Sequence, residues 1–370
     1  MTIGEPIIEQ LHAGRLPLSF VTNSKAFVRQ VENDMAAARL SPVFRAYYAL
    51  RGMIPLALRQ ALQRNRNRRI EVRPNWFIPQ SFMSKLADDL ASESGTAIIH
   101  PWPDDAQFAF VLTHDVETAD GLKGIAAIAE IEEALGFRSS WSLVPAGYKI
   151  DKGLVKDLVD RGFEIAIHGY NHDGKLLTSK TTFDKRSIAI NSAISDLSAS
   201  GFRAPMVHRN LEWFQQLNVD YDASCFDIDP YQAMPGGVGS IWPFMAGKLV
   251  ELPYTMPQDH TLTVTLKQST NATWQVKLNY LREHSGMAMM LTHPDYMTKA
   301  DAKSEYRDFL KYVKDGGGYW HALPREVAHW WREREASELD MNRITGPASD
   351  RGSIRSIQVD QQGLRFASIH

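Results

Sequence analysis

Residues 107–117 read Q-F-A-F-V-L-T-H-D-V-E, and residues 163–173 read F-E-I-A-I-H-G-Y-N-H-D. Each is an apolar run of strand length that ends in a cluster of reactive side chains. Working outward, the same design recurs in SSWSLVP (139–145), APMVH (204–208), LVELPY (249–254), MAMMLTH (287–293) and YWHAL (319–323). Helical patterns separate them, among them GIAAIAEIEEALG, KGLVKDLVDRG and KRSIAINSAISDLSASG. Strands alternating with helices at this spacing predict a parallel sheet. Neither G-x-G-x-x-G nor G-x-x-x-x-G-K-[ST] occurs, so the usual nucleotide cradles are absent. Six or seven such units without a dinucleotide fingerprint favour a barrel over an open sheet.

The chain has 370 residues, enough for two or three units or one large domain with additions. Hydrophobic residues at 44% and charged residues at 23% exclude wholesale disorder. With 41 basic and 43 acidic residues the formal charge is −2, which argues against a nucleic-acid partner. The single cysteine, Cys225, excludes an internal disulfide and a multi-thiolate zinc site, so any metal must be held by histidine and carboxylate. No apolar run approaches the length of a membrane span. The first residues lack a basic region followed by an apolar core, so no signal peptide is expected and a cytoplasmic location is.

In a β/α barrel the C-terminal strand ends share one face, so reactive residues scattered along the sequence converge there. His168 ends one strand, and a one-turn loop through Gly169 delivers His172. Two imidazoles four residues apart on such a turn reach one ion. Asp115 and Glu117 lie two apart and point to the same side if strand geometry persists past Thr113. One carboxylate is then available to a metal and the other to act as a base. In a competing reading, Glu117 belongs to the N-terminal cap of the next helix, with Thr118 and Asp120.

Five ordered motifs across residues 100–335 resemble the polysaccharide deacetylases of the NodB-homology type, carbohydrate esterase family four. They are THDVE (113–117), HGYNH (168–172), Arg203-Ala204-Pro205, Tyr221-Asp222-Ala223-Ser224, and Leu291-Thr292-His293-Pro294. The resemblance implies an incomplete (β/α)7 barrel that binds a divalent ion, commonly zinc. It implies Asp115 as general base, His168 and His172 as metal ligands, Arg203 as the arginine orienting the base, and His293 as general acid. Asp222 is implied as a residue tuning that histidine. The family's usual second aspartate falls here on Val116, and branches with D-x-D or D-x-E place the third ligand one residue on, at Glu117. HGYNH also lacks the family's Ser or Thr after the first histidine.

The resemblance implies removal of N-acetyl groups from an amino sugar in a surface polysaccharide or its precursor, with an N-acetylated glycan or glycolipid precursor as partner. The alternatives are a related C–N hydrolase with a non-sugar substrate and a non-catalytic glycan-binding member of the fold. Three regions are expected: a mostly helical extension (1–95), the barrel (96–335), and a tail with a β-hairpin (336–370). Between Arg51 and Arg73 there are seven arginines and one acid, Glu71. That stretch reads as a solvated helix face or as a peripheral contact for anionic lipid head groups. In the segment 249–262, Gln258, Asp259 and His260 are expected at the barrel mouth, within reach of sugar hydroxyls. Trp242 and Phe244 are expected to pack.

Overall fold

The computed structural model describes residues 24–39, 41, 46, 54, 58, 65–67, 69–340, 343–360 and 363–368. Much of the expected helical extension, with Arg51, Arg59, Arg64 and Arg68, lies outside the described residues. The strands are β1 (Ala97–Ile99), β2 (Phe108–Val116), β3 (Ser140–Leu143), β4 (Glu164–His168), β5 (Gly201–Arg203), β6 (Tyr221–Asp222), β7 (Phe244–Ala246), β8 (Leu249–Glu251), β9 (Met287–Thr292) and β10 (Tyr319–His321). The helices are α1 (Lys25–Ala37), α2 (Gln80–Asp89), α3 (Ala119–Leu135), α4 (Lys152–Asp160), α5 (Lys180–Leu197), α6 (Leu211–Phe214), α7 (Ala272–Glu283), α8 (Ala300–Gly316) and α9 (Pro324–Glu335).

Nine strands form one curled sheet in the order β10-β2-β3-β4-β5-β6-β8-β7, with β9 also on β2. All neighbours are parallel except the β7–β8 hairpin. Every residue of β2 is buried, as expected of a central strand with helices outside and a packed interior. Between β8 and β9 no ladder forms. The amides of Thr255 and Met256 reach the carbonyl of Met289 at 3.2 and 3.1 Å instead, which leaves the (β/α) barrel incomplete. The helices obey local rules. Thr118, Asp151 and Ser179 cap α3, α4 and α5 with their side chains, and α3 stops at Gly136 in the left-handed conformation.

One expected strand is displaced. Residues 204–208 form no strand; β5 ends at Arg203, and Pro205–Val207 make a 3-10 turn. Pro205 has no N–H for a ladder, and Met206 has φ +60°. The expected terminal hairpin is present as β13 (Ile354–Asp360) and β14 (Gly363–Ser368), and β13 also pairs with β1. A second small hairpin, β11 (Glu338–Asp340) with β12 (Arg343–Thr345), was not expected. One continuous core runs from Phe27 of α1 to Leu364 of β14. Trp242 is fully buried and donates to Ser285 O at 2.8 Å, and Phe244 packs edge-on against Phe27, so both pack as expected. Among the described residues no helix is long and apolar enough to cross a membrane.

Candidate active site

The period of two along β2 sends alternate side chains to opposite faces. His114 faces the helices: its Nε2 lies 2.7 Å from Glu132 Oε1 of α3, and its ring stacks on Trp141 at 4.2 Å. Thr113 and Asp115 face the other way, and both accept from Arg203 Nη1 at 3.0 Å. The Arg203 Nε donates to the carbonyl of Ala223 at 2.8 Å, which fixes the guanidinium. Burial acts to raise the Asp115 carboxyl, but the neighbouring His168, the Arg203 guanidinium that donates to it and the nearby His293 hold it below the usual carboxylate range. Asp115 is therefore ionised.

The alternation persists one residue past β2. Glu117 Oε1 lies 3.0 Å from His172 Nε2 and 3.9 Å from His293 Nε2. Its amide donates to Asp295 Oδ2 at 3.2 Å, and the Thr118 hydroxyl donates to Asp295 Oδ1. Thr118, not Glu117, caps α3, accepting from Asp120 N and Gly121 N at 3.2 Å each. The Glu117 side chain is thus left to the histidines. Burial would raise its carboxyl, but the His172 contact and the nearby His293 charge bring it well below the ordinary value.

His168 ends β4 with Nδ1 3.1 Å from the Arg203 carbonyl. A carbonyl only accepts, so Nδ1 carries the proton and Nε2 keeps its lone pair. Nε2 is buried with no hydrogen-bond partner. Burial drives the imidazole pKa down to about 4, so the ring is neutral. His172 follows on a tight loop with φ +53°, its ring 5.1 Å from that of His168. The loop explains the missing Ser or Thr: Gly169 has φ +66°, and a Cβ there would meet Pro205 Cδ at 2.4 Å. Beyond His172, Asp173 takes two 2.7 Å bonds from Arg186 and braces the loop. The ligand atoms of Glu117, His168 and His172 lie within 4.8 Å of one another. An orphaned imidazole lone pair, a second imidazole and an ionised carboxylate fit a divalent ion.

His293 lines the same cavity as Asp115. Its Nδ1 lies 2.7 Å from Asp259 Oδ1, and its amide donates to Asp259 Oδ2 at 2.8 Å. Burial alone would lower its pKa, but the Asp259 charge raises it to about 9. Asp259, expected among the sugar-contacting residues, is thus buried against the histidine. The tuning role assigned to Asp222 is corrected by this contact. Asp222 instead accepts from Ser224 Oγ at 2.7 Å and bonds Glu251 in the barrel interior. Asp259 rather than Asp222 makes both the backbone and the ring contact to His293. No periodic signal in the sequence marks Asp259.

At the centre of the site is a cavity of about 140 Å³ that opens to solvent. Asp115, Glu117, His168 and His293 form its reactive side. Gln258 and His260 line it as expected, joined by Tyr231, Gln232, Tyr296 and, from the N-terminal part of the chain, Arg66.

The barrel has the fold of solved structures described as polysaccharide deacetylases and as an allantoinase. A chain from Mycobacterium smegmatis described as a polysaccharide deacetylase superposes with a TM-score of 0.53 at 21% identity, over 68% of this chain and 99% of that one. The allantoinase Puue gives 0.52 at 14% identity, over 63% and 93%. A Pseudomonas aeruginosa PAO1 chain described as a polysaccharide deacetylase gives 0.51 at 15% identity, over 63% and 94%. No protein-family model and no curated protein matches the sequence.

Proposed function

We propose that the chain is a metal-dependent hydrolase that removes N-acetyl groups from an amino sugar of a surface polysaccharide or its precursor. The observation that carries this is a pair of oppositely prepared groups beside the metal-type trio. Asp115 is held ionised by Arg203, and His293 is held protonated by Asp259. Amide hydrolysis needs a base for water and an acid for the departing amine. Glu117, His168 and His172 would hold a divalent ion, which would supply Lewis acidity and make water more acidic.

The residues divide the remaining work. Asp115 takes the proton from the attacking water. Arg203 keeps that carboxylate aimed and charged. His293 delivers its Nε2 proton to the amine nitrogen as the C–N bond breaks. The Arg203 carbonyl holds His168 in the tautomer a metal ligand requires. Two solved structures described as polysaccharide deacetylases share the fold, and this supports an acetylated sugar as substrate.

Acetate release from N-acetylated sugars by zinc-loaded protein tests the proposal. Asp115→Asn and His293→Ala should each lose about 10²–10⁴ in rate. Full retention of metal-dependent release by both would refute the roles. The equal likeness to an allantoinase favours one second reading, a C–N hydrolase with a non-sugar substrate. Ammonia or ureide products without acetate would select it.

A further inference from the structure

Arg66 comes from outside the barrel pattern yet lines the reactive cavity with Asp115, His168 and His293. Its guanidinium donates to the carbonyl of Gln232, a residue of the same cavity wall. Arg66 also lines, with Asn65, Arg69 and Ile70, an adjoining groove open to solvent. Two arginines therefore stand together beside the cavity, and the Arg66 charge also acts on the buried carboxyl of Asp229. The nearby acid, Asp229, is buried and accepts from Gln232 Nε2, Tyr231 N and Thr261 Oγ1 at 2.7, 2.9 and 3.0 Å.

We infer that the substrate bears a phosphoryl group next to its acetylated sugar, and that Arg66 and Arg69 recognise it. The sugar rests on the deacetylase reading; the anion does not. A singly charged carboxylate gains little from an exposed guanidinium in water. A phosphoryl group offers several acceptor oxygens and more charge, and it engages two planar forks at once. The phosphate of a sugar monoester and the diphosphate of a carrier-linked sugar share this chemistry.

The full chain loaded with zinc is assayed for acetate release from methyl N-acetylglucosaminide, N-acetylglucosamine 1-phosphate and uridine-diphosphate N-acetylglucosamine. The readout is the ratio of kcat/KM for phosphorylated over neutral sugar. A ratio of about tenfold or more is expected, shrinking as salt rises from about 50 to about 300 mM. Arg66→Gln should collapse it towards one, and Arg66→Lys should recover part of it. Preference for the monoester identifies a sugar phosphate as the source, and preference for the diphosphate a carrier-linked sugar; either supports the inference. A wild-type ratio near one overturns it. So does a ratio unchanged in Arg66→Gln, because a residue that merely pins the Gln232 loop lowers all substrates together. If the wild type releases no acetate from any sugar, the deacetylase reading fails on its own. Calorimetric binding of N-acetylglucosamine 1-phosphate then decides: weakening of about tenfold in Arg66→Gln upholds the anion site, and equal binding rejects it.

Discussion

His168 and His293 line one cavity and are driven to different charge states. Burial dominates at His168 and takes its pKa down to about 4, leaving a neutral ring with a free lone pair. The same burial acts on His293, but the Asp259 carboxylate 2.7 Å away outweighs it and brings the pKa up to about 9. A general acid works only while protonated, so activity should persist to about pH 9 and fall as pH rises through that value. Asp259→Asn removes the charge that raises it. The alkaline limb of the kcat/KM profile should then move down towards the ordinary histidine value of 6.5. An unmoved limb would assign that limb to another group. The sequence offered His293 through its Leu-Thr-His-Pro motif, but not its partner. Asp259 and His293 lie 34 positions apart with no pattern linking them, and only the folded path of the chain brings them together.

At the scale of elements, the turn after β9 ties the acid to the metal-type trio. His293 begins that turn, and Asp295, two residues on, accepts from the Glu117 amide and the Thr118 hydroxyl. One short segment therefore supplies a proton donor and fixes the backbone that aims Glu117. The fit is close: a Cβ at Gly121 would meet Asp295 Oδ2 at 2.4 Å. Asp295→Ala should lower zinc affinity by about 10–100-fold, the usual cost of losing a group that orients a ligand. Competition with a chromogenic chelator measures this, and Gly121→Ala should act in the same direction by displacing Asp295. Affinity within a factor of two of wild type would mean that the turn holds Glu117 unaided. Much of this region was legible in the sequence, because strand alternation alone puts Asp115 and Glu117 on one side. The hold by Asp295 was not, since it joins positions 178 apart. The fourth strand was misplaced for a related reason. Apolar residues after Arg203 look extended, but the backbone restrictions of Pro205 and the left-handed Met206 turn the chain away.

At the scale of the whole molecule, the cavity wall hangs on a buried ion pair. Asp34 of α1 accepts from Arg209 Nε at 2.6 Å and also from Arg209 Nη2 and the Gly237 amide. Both side chains are about 1% exposed. Arg209 also donates to the carbonyls of Val207 and Pro235, at 2.8 and 3.0 Å. These bonds clamp the N-terminal helix onto two loops, and both loops contribute cavity residues, Met206 and Val207 from one and Tyr231 to Ala233 from the other. Removing one member of a buried pair strands the other charge without solvent, so Asp34→Ala should destabilise the fold by about 3–5 kcal/mol in urea unfolding. Replacing both, as Asp34→Leu with Arg209→Met, should recover much of that loss, because no lone charge remains buried. Kinetics give a second, independent readout. Asp115, His168 and His293 stand on or beside β2, β4 and β9, not on the clamped loops, so kcat should change little in the stabilised double variant. KM should rise, because the wall that contacts substrate has lost its anchor. A kcat that fell in step with KM would mean that the clamp reaches the strand ends themselves, and that the N-terminal helix is part of the machinery rather than a support for its rim.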